Sequence, residues 1–130
     1  MESKPSIAPD LVKEFVGNAH GDLNRVEQLL EQEPGLLNAA WDWGGGDWET
    51  ALGAAAHMGR RDIALFLLER GARMDLFAAA MLGKLEIVKA MIADQPELKN
   101  ALGPHGIPLF VHAQAGGEEA SGVVALLQGQ

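Results

Sequence analysis

Residues 41–72 constrain the fold more than any other part of the chain, because they encode two short helices with a glycine after each. Gly59 and Gly71 stand where the first and second helix are expected to end. The apolar positions before these glycines fall at helical spacing: Ala51, Leu52, Ala55, Ala56, Ile63, Phe66, Leu67 and Leu68. Helices this short cannot bury an apolar face alone, so similar units must pack on both sides of the pair.

A longer motif runs through the same segment. Residues 50–59 read Thr-Ala-Leu-Gly-Ala-Ala-Ala-His-Met-Gly, followed by Ile63, Leu67-Leu68 and Gly71-Ala72. This order resembles an ankyrin repeat, whose pattern is T-P-L-H-x-A-A-x-x-G with I-V, L-L and G-A after it. About ten positions agree within one period of roughly 33 residues. Ala51 replaces the family's proline and Gly53 its histidine, so the hydrogen bond which that histidine makes in the family is absent here.

Weaker copies of the motif extend over most of the remaining chain. The repeats occupy roughly 8–38, 39–73, 74–100 and 101–130, after a flexible lead over 1–7. The first and last copies are degenerate, which is typical of terminal repeats with one face toward solvent. We therefore predict a single ankyrin-repeat domain over 1–130. It is an all-α solenoid of about four helix-turn-helix repeats with degenerate caps.

The glycines between the paired helices are unevenly spaced. Gly21, Gly59, Gly83 and Gly116 lie 38, 24 and 33 residues apart. Against a period of about 33 residues, the loop before the second repeat is long and the loop before the third is short. In ankyrin repeats each of these loops projects as a β-turn finger beside the concave face. The spacing therefore predicts an enlarged finger next to a deleted one, with a notch between their neighbours.

Composition narrows the class of partner. The net charge of −8 argues against nucleic acid and against anionic membrane surfaces, which both require a basic patch. The chain has no cysteine, which excludes disulfides and thiolate metal sites. Its first ten residues lack the apolar run of a signal peptide, and no stretch approaches the roughly 20 apolar residues of a membrane span. We therefore expect a cytoplasmic protein that binds a protein partner or a small molecule.

The resemblance also implies where a ligand would bind. In ankyrin repeats the two residues before each inter-helix glycine, together with the fingertips, usually face the ligand. Carried onto this chain, these positions give nine candidate binding residues: His20, Trp41, Asp42, Trp43, Trp48, Met58, Met81, Leu82 and Gln114. Tryptophan is enriched where binding energy concentrates. The alternative is that the three tryptophans merely pack the enlarged loop against its neighbours.

Acid–base chemistry is a second possibility on the same face. Asp47, Glu49, His57 and His105 combine carboxylates with imidazoles, and such pairs suit proton transfer near neutral pH. The alternative reading is that Asp47 or Glu49 caps the helix that begins near Thr50.

The other candidate groups favour structural roles. His20 is expected to cover a helix C-terminus, and His112 to be a satisfied histidine of the core. A metal site built from His57, His105 and a nearby carboxylate lacks any compact spacing such as H-x-x-x-H, so we assign no metal ligand and no cofactor. The glycine run 44–46 indicates a turn, because no lysine and hydroxyl residue follow it as in a phosphate loop.

Two functions follow from these observations. The first is a binding module that uses the concave face and the enlarged 41–49 loop to hold a protein partner, as the family resemblance implies. The second is a small-molecule-binding protein or enzyme with a tryptophan-lined pocket and histidine–carboxylate acid–base chemistry. Nucleophilic catalysis has little support, since there is no cysteine and no serine in a nucleophile elbow.

Overall fold

Helices account for most of the computed structural model, which describes residues 4–129. Eight α-helices lie within those residues: Pro9–Asn18 (α1), Leu23–Gln32 (α2), Ala51–His57 (α3), Arg61–Glu69 (α4), Leu76–Leu82 (α5), Leu85–Asp94 (α6), Leu109–Ala115 (α7) and Ser121–Gln128 (α8). Strands Ala40–Asp42 (β1) and Trp48–Thr50 (β2) pair as an antiparallel hairpin. The prediction of a mainly helical chain is confirmed. Residues 1–3 of the predicted lead, and residue 130 of the last repeat, lie outside the described residues.

The helices pack as four consecutive pairs. In each pair an odd-numbered helix contacts the helix that follows it, and α1, α3, α5 and α7 also pack against one another in that order. Gly59 and Gly71 adopt φ of 66° and 100° after α3 and α4, where the sequence predicts that these helices end. None of the helices in residues 4–129 is long and apolar enough to cross a bilayer.

Small residues let the odd-numbered helices approach closely. Ala55 and Ala56 of α3 are fully buried, as expected for the paired alanines of the motif. At the end of α7, a Cβ on Gly116 would lie 2.0 Å from the carbonyl oxygen of Met81, so any larger residue would force the pairs apart. The core is therefore built on close backbone contact between neighbouring pairs.

Polar side chains cap three of the helices. Asp22, Thr50 and Asp75 each accept a hydrogen bond from the backbone N–H three residues later, which satisfies a free donor of the first turn. Thr50 therefore caps α3. The alternative that Asp47 or Glu49 caps this helix is wrong, because both carboxylates are engaged elsewhere.

The loops before α3, α5 and α7 differ in length and in contacts. The hairpin β1–β2 precedes α3, whereas residues 70–75 join α4 to α5 without a strand. Before α7 the chain makes a short 3₁₀ turn, Pro104–Gly106. The backbone N–H of His105 in that turn donates to Asp47 of the hairpin at 2.7 Å. Helix α5 packs between α3 and α7, but the connection that precedes α5 is short and contains no strand. The hairpin before α3 and the 3₁₀ turn before α7 are therefore in direct contact with each other.

Candidate metal centre

Three imidazoles surround the buried carboxylate of Glu49. The Glu49 side chain is 0 % exposed, and the Nε2 atoms of His20, His57 and His105 lie 3.2, 2.9 and 3.3 Å from its oxygens. One donor atom from each of these four residues lies within 4.8 Å of all the others. We call His20, Glu49, His57 and His105 the histidine–glutamate cluster.

The four residues of the cluster come from four separate segments. His20 follows α1, His57 ends α3, and His105 lies in the turn before α7. Glu49 is the middle residue of β2, where alternation turns its side chain inward while its neighbour Trp48 stays 61 % exposed. The stacking of the helix pairs thus brings together residues that share no compact sequence spacing.

Outer partners fix the orientation of two of the imidazoles. Nδ1 of His20 lies 3.0 Å from the carbonyl oxygen of Gly17, as predicted for a histidine that covers a helix C-terminus. Nδ1 of His105 lies 2.7 Å from Oδ2 of Asp47. Both outer oxygens can only accept, so Nδ1 carries the proton in each neutral ring. Nε2 then turns a lone pair toward Glu49, which is the arrangement of histidines that bind metal ions.

The inner contacts are incomplete as hydrogen bonds. The indole Nε1 of Trp43 donates to Oε1 of Glu49 at 2.8 Å. Oε2 of Glu49 and Nε2 of His57 are 2.9 Å apart, yet neither has a hydrogen-bond partner among the described residues. Buried polar atoms without partners destabilise a fold. A positive charge in the middle of the cluster, either a proton or a metal ion, would remove this cost.

The electrostatics keep Glu49 charged. Burial raises the pKa of its carboxyl group, but the imidazoles of His20 and His57, when they carry a proton on Nε2 and donate it, outweigh burial together with the indole N–H of Trp43 and lower the pKa far below its usual range. Contact with Glu49 likewise raises the pKa of His20, against the opposing effect of its own burial. The cluster therefore presents a fixed negative charge around which cations and protons compete.

Asp47 holds His105 in an uncommon conformation. It accepts from the backbone N–H of His105 with Oδ1 and contacts the ring Nδ1 with Oδ2, each at 2.7 Å. The backbone donor lowers the pKa of the Asp47 carboxyl group. Among residues 4–129, His105 is the one non-glycine residue with positive φ, at 61°. That conformation costs on the order of 1 kcal/mol and is retained here because Asp47 binds both the backbone and the ring.

The structure brings the four candidates for acid–base chemistry together. Two of the predicted binding residues, His20 and Trp43, lie in the same site. Asp47, Glu49, His57 and His105 share one site, which His20 and Trp43 complete. Sequence reasoning placed His20 on the ligand-facing side without assigning it as a metal ligand. The signal was its place among the two residues that precede an inter-helix glycine. His20 directly precedes Gly21, and His57 lies two residues before Gly59.

The other predicted binding residues do not join the cluster. Trp41 and Asp42 are half-buried in the hairpin, where Asp42 accepts from the N–H groups of Gly44 and Gly46 and shapes the predicted turn. Trp48 and Met58 are exposed, at 61 % and 50 %, and Gln114 is exposed on α7. Met81 and Leu82 are almost fully buried in α5 and present no free surface. Two surface cavities, of about 350 and 570 Å³, lie beside Pro34 and have no tryptophan in their lining.

His112 occupies the core, as predicted. Its side chain is fully buried against Phe77, with ring centres 4.8 Å apart. Nδ1 lies 3.0 Å from the carbonyl oxygen of Pro108, whereas Nε2 has no partner among the described residues. Burial lowers the pKa of this ring, so His112 stays neutral. It is a half-satisfied core histidine and not a member of the cluster.

The donor set of the cluster fits a transition-metal ion. Three imidazole nitrogens and one carboxylate oxygen match the ligands that Zn²⁺ and its neighbours prefer, and the outer partners Asp47 and the Gly17 carbonyl match the usual outer shell of such sites. In comparison with known proteins, the chain matches no family model, no curated protein and no solved structure.

Proposed function

We propose that this chain is a metal-binding protein that holds one divalent transition-metal ion, of the zinc class, in the histidine–glutamate cluster. One observation carries the proposal: oriented imidazoles surround a buried carboxylate, and two inner atoms there, Glu49 Oε2 and His57 Nε2, have no hydrogen-bond partner within residues 4–129. A divalent ion among these atoms would satisfy both the carboxylate and the three Nε2 lone pairs at once. A proton could satisfy only one pair at a time.

Donor chemistry favours zinc and its neighbours over magnesium or calcium. The hard ions Mg²⁺ and Ca²⁺ take oxygen ligands, and the cluster offers a single carboxylate. Imidazole nitrogen suits Zn²⁺, Co²⁺, Ni²⁺ and Cu²⁺. When bound, such an ion would act as a Lewis acid.

The chain's own residues prepare the cluster for the ion. Trp43 holds Oε1 of Glu49 and leaves Oε2 free to bind a cation. The Gly17 carbonyl and Asp47 orient His20 and His105. Outer contacts of this kind are worth about 10–100-fold in metal affinity each. Preorganisation therefore supports metal binding over simple acid–base catalysis, since Glu49 is enclosed by its own imidazoles and offers no face to an organic substrate.

Calorimetry and thermal unfolding would test the proposal. Chelator-treated protein is titrated with Zn²⁺, and we expect one equivalent to bind and the melting temperature to rise, because ligands that bind only the folded state stabilise it. His20→Gln, His57→Gln and His105→Gln should each lose this response. Glu27→Gln, which changes an exposed glutamate of α2, is the matched control and should keep it. Unaltered Zn²⁺ binding in all three histidine variants would contradict the proposal.

We also propose that the fold is an ankyrin-like solenoid, with 39–73 as its central repeat. The resemblance of 50–72 to the family pattern supports this assignment. So do the four helix pairs, the stacked odd-numbered helices and the hairpin before α3. A high-resolution experimental structure that placed the pairs in any other order would contradict it.

A protein partner is a second candidate function, and the exposed side chains of Trp48 and Met58 favour it. Both are large and apolar, and they stay 61 % and 50 % exposed at the hairpin and at the end of α3. A photoreactive amino acid at position 48 would test it in the producing cells. We expect cross-links to one protein, lost when Met58→Ser is added. Cross-links only within the chain itself would contradict a partner at this surface.

A further inference from the structure

We propose that the cavity beside the end of α2 is a second binding site, which takes a free α-amino acid with an apolar side chain. The cavity is lined by Leu30, Glu31, Pro34, Leu37 and Arg70, none of which belongs to the histidine–glutamate cluster. The proposal therefore goes beyond the metal site and does not depend on it. Three features carry it: an apolar wall, carbonyl acceptors at a helix end, and two opposite charges that are not paired with each other.

The cavity has the size and the apolar surface of a small-molecule site. Its volume of about 350 Å³ lies at the lower end of the range of such sites, which is roughly 300–1,000 Å³. Leu30, Pro34 and Leu37 give it a wall of aliphatic carbon, in which Leu30 is 6 % exposed and Leu37 is half-buried. Such a wall favours a compact ligand with an apolar body, because contact with it removes that body from water.

The end of α2 offers acceptors for an ammonium group. The carbonyl oxygen of Leu30 would normally accept from the nitrogen four residues later, but that residue is Pro34, which has no N–H. The carbonyl oxygen of Glu31 also loses its usual donor, because the N–H of Gly35 donates to the Glu33 side chain at 3.2 Å. Carbonyl oxygens at a helix C-terminus carry partial negative charge. With the Glu31 carboxylate on the same wall, they favour a cation that donates several hydrogen bonds, as a primary ammonium group does.

Arg70 supplies the opposite charge. It directly follows α4, and its guanidinium carbon lies 4.6 Å from the centre of the Phe66 ring. Contact with the ring face holds the guanidinium group in place but uses none of its N–H donors. The ion pairs within residues 4–129 include neither Arg70 nor Glu31, so these two charges line one cavity without meeting. A guanidinium group that is held in this way suits a carboxylate, which it can bind through two parallel hydrogen bonds.

A zwitterion satisfies both charges at once. An α-amino acid carries its ammonium and carboxylate groups on one carbon, so it can bridge Glu31 and Arg70 while its side chain packs on the aliphatic wall. A fatty acid would bring its single charge near the like charge of Glu31, and an alkyl amine would do the same at Arg70. The cavity therefore favours an apolar amino acid over an apolar ligand with one charge.

NMR titration of the full chain with leucine would test the inference. We expect saturable shifts of the backbone N–H signals of Gly35, which follows Pro34, and of Gly71, which follows Arg70. Leucine without its amino group and leucine without its carboxyl group should each bind about tenfold more weakly, because each loses one charge-assisted contact. Serine should also bind about tenfold more weakly, because it lacks the apolar side chain.

Two variants assign the two charges. Arg70→Gln should abolish the preference for leucine over the form without a carboxyl group, and Glu31→Gln the preference over the form without an amino group. Arg73→Gln, in the connection after α4, and Glu27→Gln, on α2, change exposed residues and are the matched controls. Both controls should keep both preferences, and circular dichroism shows whether each variant is folded.

The contrary outcomes are distinct. N–H signals that do not move up to the solubility limit of leucine would overturn the binding site. Equal affinity for leucine and for either one-charge form would overturn the choice of a zwitterion. Preferences that persist in Arg70→Gln and Glu31→Gln would overturn the assignment of these residues. None of these results bears on Zn²⁺ binding, which the histidine variants test separately.

Discussion

Glu49 and His112 are the two polar side chains buried within residues 4–129. The surroundings of Glu49 favour its charged form, whereas those of His112 favour its neutral form. Glu49 keeps its charge, because an indole N–H and three imidazoles face it. Burial lowers the pKa of His112, whose ring lies against Phe77 and has one carbonyl oxygen as its hydrogen-bond partner, and the ring is therefore neutral. The His57 ring lies between these two environments, 6.4 Å from that of His112.

The comparison separates the proposed binding site from a structural polar residue. A buried charge is retained only where opposing charges or donors surround it, and such groups cluster at functional sites. A buried neutral histidine avoids the cost of an unpaired charge, although Nε2 of His112, which has no partner among the described residues, still costs about 1–3 kcal/mol. Burial alone therefore does not identify the site, whereas convergence of several titratable side chains does.

The largest expected effect comes from changing both residues to the same neutral amide. Glu49→Gln should raise the Kd for Zn²⁺ by more than about 100-fold, since loss of a direct ligand exceeds the 10–100-fold effect of outer partners. His112→Gln should leave the Kd unchanged, because His112 is not among the potential metal ligands of the cluster. Calorimetry measures both values, and circular dichroism confirms that each variant is folded. Equal losses in the two variants would remove the distinction between the two environments.

Asp47→Asn should have the next largest effect. The amide can no longer accept both the backbone and the ring N–H of His105 as a carboxylate does, so the ring loses its fixed orientation. We expect the Kd for Zn²⁺ to rise by about 10–100-fold. Asp42→Asn, in the same hairpin, is the control, and it should not alter the Kd because the hydrogen bonds of the Asp42 side chain to described residues go to N–H groups of the turn. A similar loss in both variants would point to hairpin structure and not to His105.

Ala56→Leu tests the apolar packing beneath both environments. Ala56 is fully buried in α3, where close helix contact leaves no room for three more carbons. We expect overpacking to cost about 1–3 kcal/mol in the free energy of unfolding, measured by urea denaturation of the metal-free protein. Ala93→Leu, at an exposed position of α6, is the matched control and should change stability by less than about 0.5 kcal/mol. Unaltered stability of Ala56→Leu would contradict the repeat register.

The smallest expected effect is a pH dependence at His112. Burial lowers the pKa of this ring below the 6.5 of an exposed histidine, so the unfolded chain binds the extra proton first as pH falls. His112 therefore favours the folded state above pH 6.5, and this contribution is lost as pH falls through the folded pKa. Each unit of difference in pKa is worth about 1.4 kcal/mol.

His112→Phe removes this titration and should flatten the acid side of the stability curve. Urea denaturation of the metal-free protein between pH 7 and pH 5 would show the difference. The stability of the variant relative to the unchanged chain should increase as pH falls. A constant difference across that range would mean that His112 does not resist protonation.

Local signals in the sequence predict much of the helical framework. Gly59 and Gly71 mark the ends of α3 and α4, and the paired alanines 55 and 56 mark the buried face. These features depend on neighbouring residues alone, so periodicity and helix-stop rules suffice. The unusual spacing of the glycines predicts an enlarged loop where the hairpin of 40–50 lies. It does not predict the two strands of that hairpin.

The candidate site is predictable only in part, because its geometry arises from distant contacts. The family resemblance places Glu49, His57 and His105 on one face, but it does not predict that Glu49 and His105, which lie 56 residues apart, come into direct contact. The conformation of His105 depends on Asp47, a partner 58 residues away. The proposed metal site escapes sequence analysis for the same reason, since compact ligand motifs report only ligands on one element.

The six-residue connection 70–75 sets a limit on how this protein can be re-engineered. Surface loops normally accept insertions at small cost, and lengthening each repeat to a uniform period is a common way to make a stable scaffold. Here a finger of ordinary length would stand between the hairpin and the turn before α7 and would separate Asp47 from His105. A chain whose repeats were all lengthened to one period would keep its apolar core. It would lose the contact between Asp47 and His105, and His105 would no longer lie beside Glu49.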